Sequence, residues 1–203
     1  MLLSGVGAFG FIALLAVLHV LRSDLDPSWR FISEYELGEY GWMMRMAFFS
    51  LALSTCSMAI ALYSHVQGFA GYIGLLLLML SGAGMALAGI FIPVIGGRLH
   101  DVGALLDQVP FAALFITWGL SRNQQWSVVS KPSWCVALIP LLGFLVFMIS
   151  MAIMLPRNGG RPGPSVLVGW QNRFMILTQC VWLLYMAWRT LALRPRSQVS
   201  EGR

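Results

Sequence analysis

The sequence predicts an all-α fold, a polytopic integral membrane bundle of six transmembrane helices that forms a single domain over residues 1–203. Hydrophobic residues make up 58% of the chain and charged residues only 10%, with a mean hydropathy of +0.77. These values lie well beyond those of ordinary soluble domains. The apolar residues also form six runs, each near the roughly 20 residues that cross a ~30 Å hydrocarbon layer. The six runs cover residues 2–21, 41–63, 69–95, 102–120, 134–155 and 166–193.

Each run is expected to be a helix, because lipid-embedded backbone must satisfy its hydrogen bonds and the chain lacks the alternating segments of a β-barrel. The first run has no basic start and no small-residue cleavage site, so we expect a membrane helix rather than a secretion signal. The second follows the acidic stretch ISEYELGEYG. In the third, LSGAGMALAG spaces small residues as close helix packing requires. The fourth contains Pro110, which predicts a bend just below Asp107. The fifth and sixth flank the basic loop PRNGGRPGP.

The acidic residues are distributed unequally between the two membrane faces. With six spans, the first, third and fifth connections emerge together, on what we call the first-loop face. The opposite face also meets water, so solubility alone does not explain the asymmetry. Seven of the eight acids lie on or near the first-loop face: Asp24, Asp26, Glu34, Glu36, Glu39, Asp101 and Asp107.

Three charges are predicted inside the helices, where Arg45, Asp107 and Arg173 each lie about 9–10 Å below the start of their runs. An intramembrane charge costs about 3 kcal/mol on insertion scales, so such groups should face one another or a wet cavity. We therefore predict that Asp107 lies against Arg45 or Arg173. His100, two helical turns before Asp107, and His19 are expected to join them in a polar cavity whose rim is the acidic stretch.

Three segments, ISEYELGEYGWMMRMAFF, GIFIPVIGGRLHDVGALL and GWQNRFMILTQCVWLLY, resemble the bacterial six-helix membrane family catalogued as domain of unknown function 998. Shorter motifs, the Ser-Glu pair with its following glycine and HDVGA, are similar to the Frag, DRAM and Sfk group of membrane proteins. Those relatives are linked to lipid remodelling, lipid asymmetry or autophagy, which implies a lipid-facing role without assigning a reaction. The residues marked by these motifs are Ser33, Glu34, Gly38, His100, Gly103 and Arg173.

Two groups of candidate site residues follow from the predicted cavity. A carboxyl group whose proton affinity is raised by desolvation, beside a histidine, is suited to general acid and base chemistry. An interhelical ion-pair cluster that only fixes the bundle is the equally open alternative. The candidates for acid and base chemistry are Glu34, Glu36, His100 and Asp107. The candidates for ligand binding are Ser33, Glu34, Arg45, His100, Asp107 and Arg173.

Two other chemistries have weaker sequence support. Ser33, His100 and Asp107 suit a hydrolytic triad, but no G-x-S-x-G elbow surrounds the serine, and a serine in this position is usually a helix cap. Histidines and acids on the first-loop face, including His19 and Glu36, offer metal ligands, but without H-x-x-x-H or H-E-x-x-H spacing. The sequence therefore predicts neither a metal site nor a cofactor.

The leading function predicted from the sequence is binding of a lipid or other amphiphile in a charged cavity, with acid and base chemistry left open. The alternative is a non-enzymatic accessory or assembly subunit of a larger membrane protein complex, and transport is third. Nucleic acid is not an expected partner, because no basic run is interleaved with aromatics. The basic tail RTLALRPRSQVSEGR predicts cytoplasmic termini, in a bacterial inner membrane given the family resemblance.

Overall fold

The computed structural model describes residues 1–93 and 98–193, which form helices and loops with no strand among them. Six spans in this part of the chain are long and apolar enough to cross a membrane, and two consecutive helices, α4 and α5, make up one of them. The predicted fold class is therefore confirmed. In chain order the helices are α1 (Leu2–Leu21), α2 (Gly41–Leu62), α3 (Gly68–Ile90), α4 (Arg98–Leu105), α5 (Val109–Ser121), α6 (Gln124–Ser127), α7 (Ser130–Arg157) and α8 (Gly169–Ala192).

The predicted helix bounds hold best where polar and apolar sequence meet abruptly. The bounds of α1 are as predicted, and α2 ends one residue early. The last helix begins after Val166 and Val168, because these residues are buried in the preceding loop against Phe147 of α7. The third helix was predicted to reach residue 95 but ends at Ile90. Residues 94 and 95 of that prediction, like the tail 194–203, lie outside the described residues.

The spans pack in chain order as a closed ring. Each contacts the next, α5 packs against both α3 and α7, and α8 returns to α1. Helix α8 also contacts α2 and α5 across the ring, so its side chains reach more spans than those of its neighbours. Helix α7 is the least buried span and presents most of its surface outward.

The fourth span is broken rather than bent. Helix α4 ends at Leu105 and α5 begins at Val109, so Asp107 lies in the interruption itself, above the predicted position of the bend. The Gln108 amide donates to the Ser81 hydroxyl of α3 at 2.7 Å, replacing a helical hydrogen bond. Pro110 then falls in the first turn of α5, where a missing amide hydrogen costs nothing.

The loop between α1 and α2 folds over the first-loop face instead of extending into solvent. It contains a 3-10 helix, Ile32–Glu36, in which Ile32, Tyr35 and Glu36 are buried. The Ile32 amide donates to Asn172 Oδ1 of α8 at 3.1 Å. Arg22 closes the far end of the loop by donating to the Leu37 carbonyl. The first loop is therefore part of the folded bundle.

Small residues bring α3 close to its neighbours on two sides, as the spacing predicted. A methyl group on Gly84 would meet the Gly103 carbonyl of α4 and lie 2.8 Å from Leu106 Cβ. Gly103 meets α3 equally closely, since a methyl group there would lie 2.7 Å from the Gly84 carbonyl oxygen. Helix α4, the first part of the fourth span, therefore packs directly against the backbone of α3.

We expect Gly84→Ala to lower the free energy of unfolding by about 1–3 kcal/mol relative to Gly5→Ala. Both changes add the same helix propensity, but a methyl group on Gly5 would meet only Ala187 Cβ at 3.6 Å, an ordinary contact. Thermal unfolding of both variants in detergent, followed by circular dichroism, measures the difference. Equal stabilities would contradict the close α3–α4 contact.

Candidate functional site

Arg173 lies one turn into α8, near the first-loop face, and is only 2% exposed. Its Nε donates to His19 Nε2 at 2.7 Å, and its Nη2 donates to the Tyr35 hydroxyl at 3.1 Å. Its Nη1 donates to backbone carbonyls. One guanidinium therefore joins α1, α8 and the first loop. The carbonyl acceptors are those of Arg30 at 2.7 Å, Gly169 at 3.0 Å and Pro27 at 3.3 Å.

The Arg173 contact fixes the tautomer of His19. An arginine N–H always donates, so His19 Nε2 must present its lone pair. The ring hydrogen then lies on Nδ1, which donates to the Leu15 carbonyl at 2.7 Å. Both ring nitrogens are used, and the neutral imidazole is held between α1 and α8.

Among the described residues, the positive charge of Arg173 has no direct counter-ion. Within residues 1–93 and 98–193, the ion pairs closer than 4.0 Å involve Arg22, Arg30 and His100, and none involves Arg173. The pKa of Asp26 is lowered chiefly by hydrogen bonds from Ser28 and only secondarily by the charge of Arg173. The acceptors that bond Arg173 are neutral, so its charge is solvated by dipoles.

A groove of about 270 Å³ lies beside this guanidinium, between α1 and α8. Its far part is apolar, and its near part is bounded by an aromatic side chain over the arginine, with the Trp170 ring centroid 5.8 Å from Arg173 Cζ. Trp170 and Phe174 are 57% and 42% exposed, so the groove is open on the outer surface of the bundle. Its lining residues are Leu15, His19, Trp170, Arg173, Phe174 and Leu177.

A second polar centre forms where the first loop meets α4. Glu36 is 2% exposed, and its Oε2 lies 3.8 Å from Nδ1 of His100, which also contacts the Phe91 carbonyl at 2.7 Å. The positive charge of Arg45 in α2 also acts on Glu36. Burial raises the pKa of Glu36 to about 8, against the opposing attraction of Arg45. Neither carboxyl oxygen of Glu36, nor Nε of Arg45, has a hydrogen-bond partner in the described part of the chain.

Asp107 forms a third centre, apart from both arginines. Its Oδ2 accepts a hydrogen bond from Gln179 Nε2 of α8 at 2.8 Å, and its Oδ1 faces the Val109 amide at 3.4 Å. The prediction that Asp107 lies against Arg45 or Arg173 is wrong. The break in the fourth span turns the carboxyl group toward a carboxamide in the bundle interior instead.

The remaining predicted residues lie on the first loop. Glu34 pairs with Arg30 at 3.4 Å, and its second carboxyl oxygen has no partner among the described residues. Ser33 is half-buried on the same 3-10 helix, which has no side-chain cap. Ser33 and Glu34 therefore share the short 3-10 helix with Glu36. Their role as ligand residues stays a prediction.

The alternative chemistries find no assembled site in the described residues. No hydrogen bond joins Ser33 to His100 or His100 to Asp107, since the histidine contacts Phe91 and Glu36 and the aspartate bonds Gln179. Within residues 1–93 and 98–193, no three His, Cys, Asp or Glu side chains are close enough to hold a metal ion.

Sequence reasoning missed three groups that complete these centres. Tyr35 sits within the acidic stretch but reads as a loop aromatic, and its hydroxyl bonds Arg173. Asn172 precedes Arg173 and holds the first loop, and Gln179, two turns below the arginine, bonds Asp107. The helical period of 3.6 residues could have identified two of them, because it places Asn172 and Gln179 on the same, inner side of α8.

Comparison with known proteins gives a family and no function. A sequence model of the family described as protein of unknown function (DUF998) matches residues 6–189, so the chain belongs to that family. The recognition predicted from the three motif segments is confirmed. No curated protein and no solved structure matches the chain. The similarity to the Frag, DRAM and Sfk group stays a prediction.

Replacing Arg173 should release the first loop. In Arg173→Met the carbonyls of Pro27 and Arg30 and the His19 ring lose the guanidinium donor, so we expect a loss of about 3 kcal/mol in the free energy of unfolding. Limited proteolysis should also cut the first loop faster. Arg161→Met, at an exposed arginine of the loop before α8, is the matched control. Wild-type stability and protection in Arg173→Met would contradict the fastening role.

Glu36 should make stability depend on pH. Its pKa is about 8 in the folded protein against 4.5 as the reference for the unfolded chain. Between these values the folded state binds more protons, so the free energy of unfolding should fall as pH rises and level off above about pH 8. We expect Glu36→Gln to make this decline much shallower and to gain a few kcal/mol over wild type at about pH 9.

Thermal unfolding at about pH 5 and about pH 9 measures this difference between wild type and Glu36→Gln. Glu39→Gln, an exposed acid of the same loop, is the control and should keep the decline because Glu36 is intact. Parallel pH profiles for wild type and Glu36→Gln would show that this carboxyl group is not the one responsible.

Proposed function

We propose that this multi-pass membrane protein of the DUF998 family binds an anionic amphiphile, a membrane lipid or lipid-like molecule, in the groove between α1 and α8. The observation that carries the proposal is the combination of an apolar wall with a buried arginine whose charge no described carboxylate balances. The groove opens toward the acyl region of the surrounding bilayer.

The apolar part of the groove suits a hydrocarbon chain. Leu15, Phe174 and Leu177 form its wall, and no polar side chain interrupts them. The volume of about 270 Å³ is just below the range of roughly 300–1,000 Å³ that holds a drug-sized ligand. A site of this size holds part of one acyl chain, and the open side leaves the remainder of the amphiphile among the neighbouring lipids.

The polar end of the groove favours a negative headgroup. A buried cation bonded only to neutral dipoles is stabilised when an anion approaches it through a medium of low dielectric constant. Nη2 of Arg173 uses one of its two hydrogens on Tyr35, so the other is free of any partner within the described residues. Trp170 lies at the mouth, where tryptophan meets lipid headgroups.

Other predicted roles have less geometric support. Of the candidate groups for acid and base chemistry, Glu36 and His100 are adjacent, but neither lines the groove, so chemistry on the bound amphiphile stays a prediction. The outward surface of α7 suits an accessory subunit and lipid equally well. An inner-membrane location with cytoplasmic termini also stays a prediction.

Filling the groove should remove bound lipid without unfolding the protein. Leu177→Trp places an indole in the groove, and Ile149→Trp adds the same side chain on the exposed surface of α7 as the control. We expect wild type and Ile149→Trp to retain phosphatidylglycerol through purification after reconstitution. Leu177→Trp should retain roughly fivefold less, equivalent to about 1 kcal/mol. Mass spectrometry of the extracted lipid gives the ratio.

Three outcomes would contradict the proposal. Equal phosphatidylglycerol retention by Leu177→Trp and Ile149→Trp would exclude the groove as the binding site. Equal retention of phosphatidylcholine and phosphatidylglycerol by wild type would exclude the preference for an anion that the charge of Arg173 implies. If wild type loses phosphatidylglycerol during purification and copurifies with one further membrane protein, the accessory-subunit role is favoured instead.

A further inference from the structure

Asp107 is a buried acid that the proposed function does not use. It lies in the interruption between α4 and α5, within the fourth membrane span, and is 9% exposed. No arginine, lysine or histidine nitrogen lies within 4.0 Å of its carboxyl group in the described part of the chain. Its charge therefore has no cation to balance it there.

Two donors reach the Asp107 carboxyl group, which is few for an ionised one at this depth. Gln179 Nε2 is at a good distance of 2.8 Å, but the Val109 amide is at 3.4 Å, near the limit of a hydrogen bond. An ionised carboxylate at membrane depth costs roughly 3 kcal/mol or more, and buried anions are normally paired. The surroundings are built for a neutral group.

Gln179 supplies the complementary observation. The side chain is 1% exposed, and its Oε1 is a buried acceptor without a partner among the described residues. A carboxylate cannot donate to it, but a protonated carboxyl group has one O–H donor. A carboxylic acid and a carboxamide can then exchange two hydrogen bonds, N–H to carboxyl oxygen and O–H to Oε1.

We propose that Asp107 is a proton-binding site, which takes up a proton from water and donates it in a hydrogen bond to Gln179 across the break in the fourth span. The balance is simple: the carboxylate gains one proton, and its charge is removed without a counter-ion. No metal or other cation is required. The site is separate from the groove between α1 and α8, and its test does not depend on lipid binding.

Among the described residues, the groups packed around the Asp107 carboxyl group supply no positive charge that could balance it in place of a proton. From α3, the Ser81 hydroxyl already donates to the Leu77 carbonyl and accepts from the Gln108 amide. From α8, the titratable neighbour is Cys180, a neutral thiol that brings no positive charge. From α5 comes the Val109 amide.

Infrared spectroscopy of the protein labelled with ¹³C at the aspartate side-chain carboxyl carbon tests the proposal directly. This label excludes glutamate, so the signal of Glu36 does not interfere. At about pH 5, where an ordinary aspartate is ionised, we expect a carboxylic-acid carbonyl band in wild type that is absent from Asp107→Asn. In Gln179→Leu, the same band should shift to higher frequency because its hydrogen bond is lost.

A stability measurement accompanies the spectra. Asp107→Asn is neutral and keeps an N–H donor for Oε1, so we expect its melting temperature to stay close to that of wild type. A failure of this variant to fold, or an aspartate carboxylate band alone at about pH 5, would overturn the proposal. So would a wild-type melting temperature that rises with sodium chloride and not with choline chloride, because the site would then hold a metal cation.

Discussion

The guanidinium of Arg173 is the group on which the first-loop face depends. A buried arginine is costly unless its N–H groups are bonded, and a loop folded over a membrane bundle is costly unless its backbone carbonyls are bonded. Each supplies what the other lacks, because the carbonyls of Pro27 and Arg30 accept from Arg173. The 3-10 helix is then held in place, which directs Tyr35 toward the arginine and Glu36 toward α4.

This arrangement separates polar groups that the sequence suggested would meet. Tyr35 and Glu36 are consecutive, yet Tyr35 bonds the arginine whereas Glu36 faces His100. The broken fourth span isolates Asp107 deeper in the bundle, with α8 as its partner. The polar groups are therefore divided among three centres: Arg173 is bonded to neutral acceptors, Glu36 faces His100, and Asp107 accepts from Gln179.

Much of the architecture could be predicted from the sequence, because crossing a bilayer imposes length and hydropathy on every span. The first helix has the predicted bounds, and Pro110 correctly marked an irregularity. The site could be predicted only in part. Depth along a helix follows from residue number, but the direction of a side chain depends on the rotation of the whole span, and that rotation was unknown for Asp107. The folding of the first loop rests on contacts between residues about 140 positions apart, such as Ile32 with Asn172, which no local pattern encodes.

The length of α7 has a consequence for the membrane around the protein. Its 28 residues extend for about 42 Å, against a hydrocarbon thickness of ~30 Å. Lys131 and Arg157 lie near its two ends and prefer the headgroup layers, so the helix must tilt or stretch the adjacent leaflets to satisfy both. Because α7 is the least buried span, the mismatch between its length and the hydrocarbon thickness acts on the surrounding lipid rather than on neighbouring helices. The bundle is therefore expected to be more stable in a thick bilayer than in a thin one.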